Sequence, residues 1–316
     1  MPFKQFLIAI LAGCIGVLTV IAVLPRLGLA RANAEMVWVA YLYANKERIA
    51  AAIPGPRVFV VGGSATLHSF DSATASRRLG MPVVNFGTHA ALGLGYILER
   101  AERVLRPGDI VLLAPEYTLL QQPDGPNSYK TQLITFYDPD YISKAPLTDW
   151  PNYIIGYDVI PSVVEALKVK LKGVPSFPYD LVQDDLGNNR GYTVDRSVAQ
   201  IQLASLNPPA AVPITESAHA LLARFASFAA SRHIKVFVIP VSLLKTPSYP
   251  GADYERFLQT LPAAYAKMQL SMLGTPDMAY MTVEDTHDVP FHANDRGRIK
   301  YTATMLSLVC RHLRCS

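Results

Sequence analysis

Short apolar runs alternate with longer amphipathic stretches along most of this chain. Residues 57–61, RVFVV, are β-branched and aromatic and are followed by two glycines, which predicts a buried strand that ends in a tight turn. Residues 82–86 and 110–114 repeat this pattern, and a helix is predicted between them at 92–105. Strands that alternate with helices predict an α/β fold with a parallel sheet, right-handed crossovers and helices on both faces.

The alternation stops at residues 117–210 and then resumes. Helices are predicted at 215–232, 253–273 and 295–312, with a strand at 235–240. The interrupting segment is rich in Tyr, Pro, Asp and Asn, and its one clear helical stretch lies near 159–172. We interpret 117–210 as an insertion or cap over the carboxyl edge of the sheet, where parallel α/β folds place their sites.

The amino terminus carries an uncharged apolar stretch at residues 6–24. A helix of this length spans about 28 Å, close to the hydrocarbon thickness of a bilayer. We predict that residues 1–30 form an uncleaved transmembrane anchor. Residues 31–316, opened by a helix at 31–52, are expected to form one domain that contains the insertion.

Two alternatives to an uncleaved anchor are open. Ala32-Asn33-Ala34 is similar to a signal-peptidase site, and residues 11–14, LAGC, are similar to a lipoprotein processing box. The apolar stretch is longer than that of a typical signal peptide and continues well past Cys14, which favours the anchor. The basic residues on its two sides are balanced, so charge does not set its orientation.

The composition argues against two classes of protein. Hydrophobic residues make up 50% of the chain and charged residues 17%, which is untypical of a disordered protein. The net charge is only +4 and no run of Lys or Arg exceeds a pair, so the basic surface expected of a nucleic-acid binder is missing. The three cysteines form no CxxC pair, and Cys310 and Cys315 can bridge only if the last helix unwinds between them.

A candidate nucleophile stands where the first strand ends. Gly62-Gly63-Ser64 places a hydroxyl at a sharp strand-to-helix turn, where the helix amino terminus can stabilise an oxyanion. Serine is also a preferred helix N-cap and glycine often precedes it. The motif by itself leaves both interpretations open.

The segment before the last helix carries the other candidates. Residues 286–297 have the sequence THDVPFHANDRG, and a Tyr-Thr pair follows at 301–302. With the Gly-Gly-Ser turn and the NFG sequence at 85–87, this segment resembles the sequence blocks of the SGNH or GDSL hydrolases. The resemblance covers roughly residues 57–114 and 235–312 and leaves the anchor and the insertion outside it.

The resemblance implies a three-layer α/β/α, flavodoxin-like parallel sheet that carries a serine-hydrolase site. Ser64 matches the nucleophile of that family, His292 the general base, and Asp288 the acid that orients the base. The amides of Ser64 and Gly87 match the oxyanion donors. Neither a cofactor nor a metal is implied.

Three further residues are expected to line the substrate or oxyanion site. Asn85 belongs to the middle block of the family, and Glu116 follows the third strand, where that family has its third block. His89 lies on the loop after the second strand, which is predicted to face the same crevice.

The match departs from the family pattern at three points. Gly63 stands where the family has the Asp of its Gly-Asp-Ser block, and Asp288 precedes His292 by four positions where three is usual. Asp285 is therefore an alternative acid. Glu116 replaces an Asn whose side chain donates to the oxyanion, and a carboxylate cannot donate, so weak, altered or absent hydrolysis is one expectation.

Acyl transfer on a cell-envelope or exopolysaccharide glycan is the function that the anchor and the resemblance together imply. An esterase and an O-acyltransferase fit equally well, and a membrane-bound acyltransferase or a polysaccharide synthase is the expected partner. The implied location is the inner membrane of a bacterium, with a single span and the catalytic domain in the periplasm. The alternative is a catalytically silent subunit that keeps the scaffold to bind glycan or a synthase.

Other interpretations of the polar residues are open too. His287, His292 and Asp288 could hold a metal, although no third His or Cys lies nearby in the sequence. The tyrosines of the insertion are either packing residues or the wall of a sugar groove. Ordinary surface or core roles are expected for the remaining histidines, His68, His219 and His233.

Overall fold

The computed structural model describes residues 3–26, 34–150, 153, 164, 167–168, 171, 186–188, 209–313 and 315, without the side chains at 18, 20–22, 24–26 and 34. The chain divides into two compact units, residues 1–41 with 125–178 and residues 42–124 with 179–316. Every residue expected to form the site lies in the second, which we call the sheet unit.

The described residues form helices, short 3₁₀ turns and strands in the order that the sequence pattern predicts for most of the chain. The helices are α1 (Phe3–Arg26), α2 (Ala34–Ala52), α3 (Ser64–Ser69), α4 (Ser72–Leu79), α5 (Leu94–Val104), α6 (Tyr117–Gln121), α7 (Ser128–Tyr137), α8 (Asp140–Lys144), α9 (Glu216–Ser231), α10 (Ala252–Lys267) and α11 (Asp295–Val309). The strands are β1 (Val58–Gly62), β2 (Val83–Asn85), β3 (Ile110–Ala114), β4 (Lys235–Val238), β5 (Leu243–Leu244), β6 (Ser271–Met272) and β7 (Tyr280–Met281). The 3₁₀ turns cover Ala90–Leu92, Pro276–Ala279 and Val283–Asp285.

A five-stranded sheet in the order β2-β1-β3-β4-β6 forms the centre of the sheet unit, and each neighbouring pair is parallel. Val60 of β1 pairs with Asn85 of β2 on one side and with Leu112 of β3 on the other. These three strands are buried along their whole length, as expected when helices cover both faces of a parallel sheet. The predicted α/β fold with a parallel sheet is confirmed. β5 and β7 form a separate parallel pair.

The sequence prediction of one helix over 253–273 is wrong at its carboxyl end. α10 ends at Lys267, Gln269 has φ +60°, and the chain returns to the sheet as β6. The amide of Leu273 then donates to the carbonyl of Val238 at 2.8 Å. A short apolar run is compatible with helix and strand alike, so pairing with β4 decides the outcome.

The segment 117–210 contains more helix than its sequence pattern predicts. α6, α7 and α8 all lie in its first part, and the side chain of Asn127 caps α7 by accepting from the Lys130 amide at 2.9 Å. The helix predicted at 159–172 lies almost wholly outside the described residues. The role of the segment as a cap stays a prediction.

At the amino terminus, α1 spans Phe3–Arg26 and so covers the stretch predicted as an anchor. Within the part of the chain that the structure describes, no helix is both long and apolar enough to cross a membrane. α2 matches the helix predicted at 31–52 from Ala34 onward.

A buried ion pair closes the amino end of the sheet. Arg57 and Asp109 precede β1 and β3, are fully enclosed, and meet at 2.7 Å. The Arg57 guanidinium also donates to the carbonyls of Ala50 and Val104, at the ends of α2 and α5. Asp109 in turn accepts from the Arg106 amide at 2.8 Å. One pair of charges therefore ties two strands and two helices together.

The last helix ends before the two cysteines that follow it. α11 stops at Val309, and Cys310 and Cys315 form a disulfide with their Cα atoms 5.5 Å apart. The condition for a bridge, that the helix unwinds between the two thiols, is met. Cys14 is exposed and not bridged.

Candidate active site

Ser64 lies at a tight turn from β1 into α3. Gly63 is the N-cap of this helix and Ser64 is its first residue, so the interpretation of Ser64 as a side-chain N-cap does not hold. Gly62 is required at this turn, because a Cβ there would lie 2.4 Å from the Ala114 carbonyl oxygen and 2.2 Å from Oγ1 of Thr66. Ser64 is half-buried, and within the described residues neither its amide nor its hydroxyl has a hydrogen-bond partner.

The carboxyl group of Glu116 packs against this turn from the end of β3. The residue is 2% exposed. Its Oε2 accepts from the Gly63 amide at 2.9 Å and its Oε1 from the Ala65 amide at 2.7 Å, so both amides that flank Ser64 are bound. Burial raises the pKa of Glu116, although the two amides and the nearby His292 act in the opposite direction.

His292 and Asp288 form a hydrogen-bonded pair. Nδ1 of His292 lies 2.7 Å from Oδ1 of Asp288, which leaves Nε2 for a proton from a nucleophile. The four-position spacing suits this contact, because the loop is closed by a bond from the His287 amide to the His292 carbonyl and by one from the His292 amide to Val289. Burial acts to raise the pKa of Asp288, but the hydrogen bond and the positive potential of His292 and His287 lower it overall.

The alternative acid, Asp285, is bound elsewhere. Its carboxylate accepts from Nε of Arg296 at 2.6 Å, from Nζ of Lys300 at 2.8 Å and from Oγ1 of Thr282 at 3.1 Å. Burial acts to raise its pKa, and the bonds from Lys300 and Arg296 lower it overall. The structure thus brings Asp288, and not Asp285, to the imidazole of His292.

Hydroxyl groups join the loop of His292 to the helix of Ser64. Ser69, the last residue of α3, donates to the Phe291 carbonyl at 3.2 Å and accepts from the Ala293 amide at 3.1 Å. Oγ of Ser242 lies 2.8 Å from Oγ of Ser69 and 2.7 Å from the same carbonyl oxygen. Since these bonds flank His292, they place it beside α3 although the two segments are far apart in sequence.

His68, expected from the sequence to have an ordinary surface or core role, lies beside His292. It follows Ser64 by one helical turn, so the two side chains lie on one face of α3. Its ring is buried and its centroid lies 4.3 Å from that of His292, at an interplanar angle of 56°. Burial lowers the pKa of His68 well below its usual range, and His292 and His287 lower it further, so the ring is neutral. The four-residue spacing after the candidate nucleophile was the signal available in the sequence.

The middle block holds α3 in place. The side chain of Asn85 donates to the carbonyls of Thr66 and Phe70, each at 3.0 Å, and accepts from the Gly87 amide at 3.0 Å. Nζ of Lys46, fully buried, donates to the Asn85 carbonyl at 2.8 Å and to that of Gly87 at 2.6 Å. The Gly87 amide, expected to hold an oxyanion, therefore already has a partner in this arrangement.

The loop after the middle block also lies next to the Gly62-Gly63-Ser64 turn. Nδ1 of His89 accepts from the Ala91 amide at 3.1 Å and so caps the 3₁₀ turn at Ala90–Leu92. The amide nitrogen of Ala90 lies 2.8 Å from the position that a Cβ on Gly63 would take. His89 thus caps the turn whose first backbone amide lies beside Gly63.

A metal centre was the alternative for His287, His292 and Asp288. Among the residues that the structure describes, no group of three or more His, Cys, Asp or Glu side chains is arranged to hold a metal ion. The imidazole of His292 is instead flanked by Asp288 on one side and by the ring of His68 on the other.

Comparisons with known proteins do not assign this chain to a family. No family model matches the chain, and no curated protein matches it. Among solved structures, the crystal structure of protein YxiM from Bacillus subtilis is similar at 10% sequence identity and a TM-score of 0.36, over 82% of this chain and 57% of that one. This chain therefore matches little more than half the length of that protein, and the similarity is too low to support a function.

Proposed function

We propose that the protein is a serine-dependent acyl esterase or O-acyltransferase. The single observation that carries the proposal is the pair of His292 and Asp288 at 2.7 Å, on a loop bonded to the helix that Ser64 opens. A hydroxyl at a strand-to-helix turn, a base, and an acid that orients the base are the three parts of a serine-hydrolase site. The SGNH-like sequence blocks add weight to the same assignment.

The reaction would run in two steps. The hydroxyl of Ser64 attacks the carbonyl carbon of an acyl ester while Nε2 of His292 takes its proton, and Asp288 keeps the imidazole in the required tautomer. The amide of Ser64 donates to the developing oxyanion. The departing alcohol takes the proton from His292 and leaves an acyl group on Ser64. Water or a sugar hydroxyl then accepts that group by the same route in reverse.

The substrate class and the location are further parts of the proposal and rest on the sequence. We propose an envelope or exopolysaccharide glycan as the acyl acceptor or donor, and a membrane-bound acyltransferase or polysaccharide synthase as the partner. An inner-membrane protein with its sheet unit in the periplasm is consistent with the apolar residues 6–24. A disulfide between Cys310 and Cys315 suits an oxidising compartment as well.

One observation favours a second candidate, a catalytically silent scaffold that binds glycan or a synthase. The Glu116 carboxyl lies against the amides on both sides of Ser64, where a negative charge opposes formation of an oxyanion. This candidate predicts an intact fold without acyl transfer.

A fluorophosphonate probe separates the two candidates. We expect the purified protein to gain one probe mass, and the Ser64→Ala and His292→Ala variants to gain none. Intact-mass spectrometry counts the bound probe molecules, and tryptic peptide mapping then identifies the modified residue. A wild-type protein that is folded by circular dichroism and stays unlabelled would instead support the scaffold.

A further inference from the structure

Two of the three departures from the SGNH pattern, Gly63 and Glu116, meet in space. A Cβ built on Gly63 would lie 2.5 Å from Oε1 and 2.6 Å from Oε2 of Glu116. The Glu116 carboxyl therefore fills the volume that a side chain at position 63 would need. Since the residue before the nucleophile has no side chain, a carboxyl group from the end of β3 takes that space.

Both oxygens of this carboxyl group act as acceptors. Oε2 binds the Gly63 amide and Oε1 binds the Ala65 amide, so Glu116 satisfies two of the amides that a helix amino terminus leaves without partners inside the helix. The amide between them, that of Ser64, has no hydrogen-bond partner among the described residues. This two-point contact fixes the orientation of the turn more tightly than one hydrogen bond can.

The described surroundings of Glu116 contain an imidazole and a phenol rather than a cationic partner. Two side chains lie near the Glu116 carboxyl group, that of His292 from the loop before α11 and that of Tyr301 from α11 itself. The Tyr301 hydroxyl donates to the Pro240 carbonyl at 2.7 Å. Among the described residues, no Lys or Arg forms a salt bridge with this carboxyl. A buried carboxyl group held by backbone amides without a cation costs stability, which points to a local task.

We propose that Glu116 is a positioning residue, whose two hydrogen bonds hold Gly63 and Ala65 so that the hydroxyl and the amide of Ser64 face the substrate. In this role Glu116 accepts hydrogen bonds, whereas the Asn at the corresponding place in the family donates one. The catalytic consequence rests on the proposed function of Ser64; the consequence for the backbone does not.

Glu116→Gln is the informative variant, because it keeps the size of the side chain and exchanges one acceptor oxygen for an NH₂ group. That NH₂ group would meet an N–H group and could not accept from it. We expect the maximal rate of fluorophosphonate labelling of Ser64 to fall about 10²-fold, with the affinity for the probe unchanged, since the nucleophile is misplaced and the pocket is not. An equal or faster maximal rate would mean that the two acceptor contacts of Glu116 do not position Ser64, and would overturn the proposal.

Asp109→Asn is the matched control. Asp109 is equally buried, lies at the other end of β3 and also accepts from backbone amides, those of Arg57 and Arg106. We expect Asp109→Asn to melt at a lower temperature than the wild type. In the fraction of this variant that is folded, Ser64 should be labelled at the wild-type rate. If Asp109→Asn slows labelling as much as Glu116→Gln does, loss of stability explains both, and Glu116 has no positioning role.

Amide hydrogen exchange tests the positioning even if Ser64 is never labelled. In Glu116→Gln we expect exchange at Gly63 or Ala65 to be about tenfold faster than in the wild type, because one of these amides loses its partner. Exchange in the sheet strand β1 at Val60 should stay as it was. Unchanged exchange at both Gly63 and Ala65 would refute the positioning role of Glu116. Failure of the probe to label the wild-type protein would refute only the proposed function of Ser64.

Discussion

A buried acidic side chain lies at each end of β3, and the two side chains have different partners. Asp109, at the amino end, meets the Arg57 guanidinium and two backbone amides. Glu116, just past the carboxyl end, accepts from the amides of Gly63 and Ala65, forms no salt bridge among the described residues, and lies near His292. The desolvation cost of a buried charge is offset by an ionic partner, whereas a carboxyl group buried without a cation lowers stability for the sake of a local geometry.

We expect the amino end of the sheet to contribute stability and the carboxyl end to carry the proposed chemistry. At the amino end, the polar groups around Arg57 are satisfied by one another. At the carboxyl end, Ser64 has no hydrogen-bond partner within the described part of the chain, and the rings of His68 and His292 lie against each other. Variants at the two ends should therefore affect different measurements.

The largest expected effect is at the carboxyl end. Ser64→Ala and His292→Ala should each lower kcat/KM for a chromogenic acyl ester by about 10⁴-fold or more, and the double variant should be no worse, because the residues act as a unit. The free energy of unfolding in urea should change little for Ser64→Ala. Retention of wild-type acylation of the glycan in cells that carry Ser64→Ala would favour the silent scaffold instead.

Asp288→Asn should cost about 10³-fold in kcat, because an amide leaves His292 free to adopt the wrong tautomer. Asp285→Asn provides the control, since it breaks the contacts with Arg296 and Lys300 and not with His292. It should lower the melting temperature and leave kcat within a few-fold of the wild type. The reverse outcome would show that Asp285 is the acid.

At the amino end, Arg57→Met should lower the free energy of unfolding by about 3–5 kcal/mol, because it leaves the Asp109 carboxylate buried without its cation. The labelling rate of the protein that remains folded should match that of the wild type. Urea denaturation followed by far-UV circular dichroism measures the first quantity. A slower labelling rate at full folding would show that the two ends of the sheet are coupled.

The smallest effect concerns His68 and pH. Its folded pKa is lowered well below the usual 6.5, so the unfolded chain binds the proton first and stability is lost as the pH falls below about 6.5. The slope from this group is at most about 1.4 kcal/mol per pH unit. His68→Phe keeps a ring against His292 and should remove this part of the slope. A pH dependence of the melting temperature that is identical in the variant would contradict a neutral, buried His68.

Local patterns were sufficient for most of the elements and for the members of the site with a local signature. The β-branched run before Gly62 predicts β1, and the sequence of the last block singles out Asp288 and His292. The prediction failed where an element has no periodicity of its own. β6 is too short to show one, and only its pairing with β4 identifies it.

By itself, the sequence determined the alternation of strands and helices, the glycine turn before Ser64 and several of the polar residues at the carboxyl end of the sheet, Asp288, His292 and Glu116 among them. The tertiary structure decided which of these residues meet: Asp288 rather than Asp285 at His292, His68 against the same ring, and Glu116 in the space left by Gly63. The physical reason is the range of the interactions. Hydrophobic periodicity and turn chemistry act over a few neighbouring residues, whereas contacts such as that between Ser69 and Ala293 join segments that only the packing of the sheet and its helices brings together.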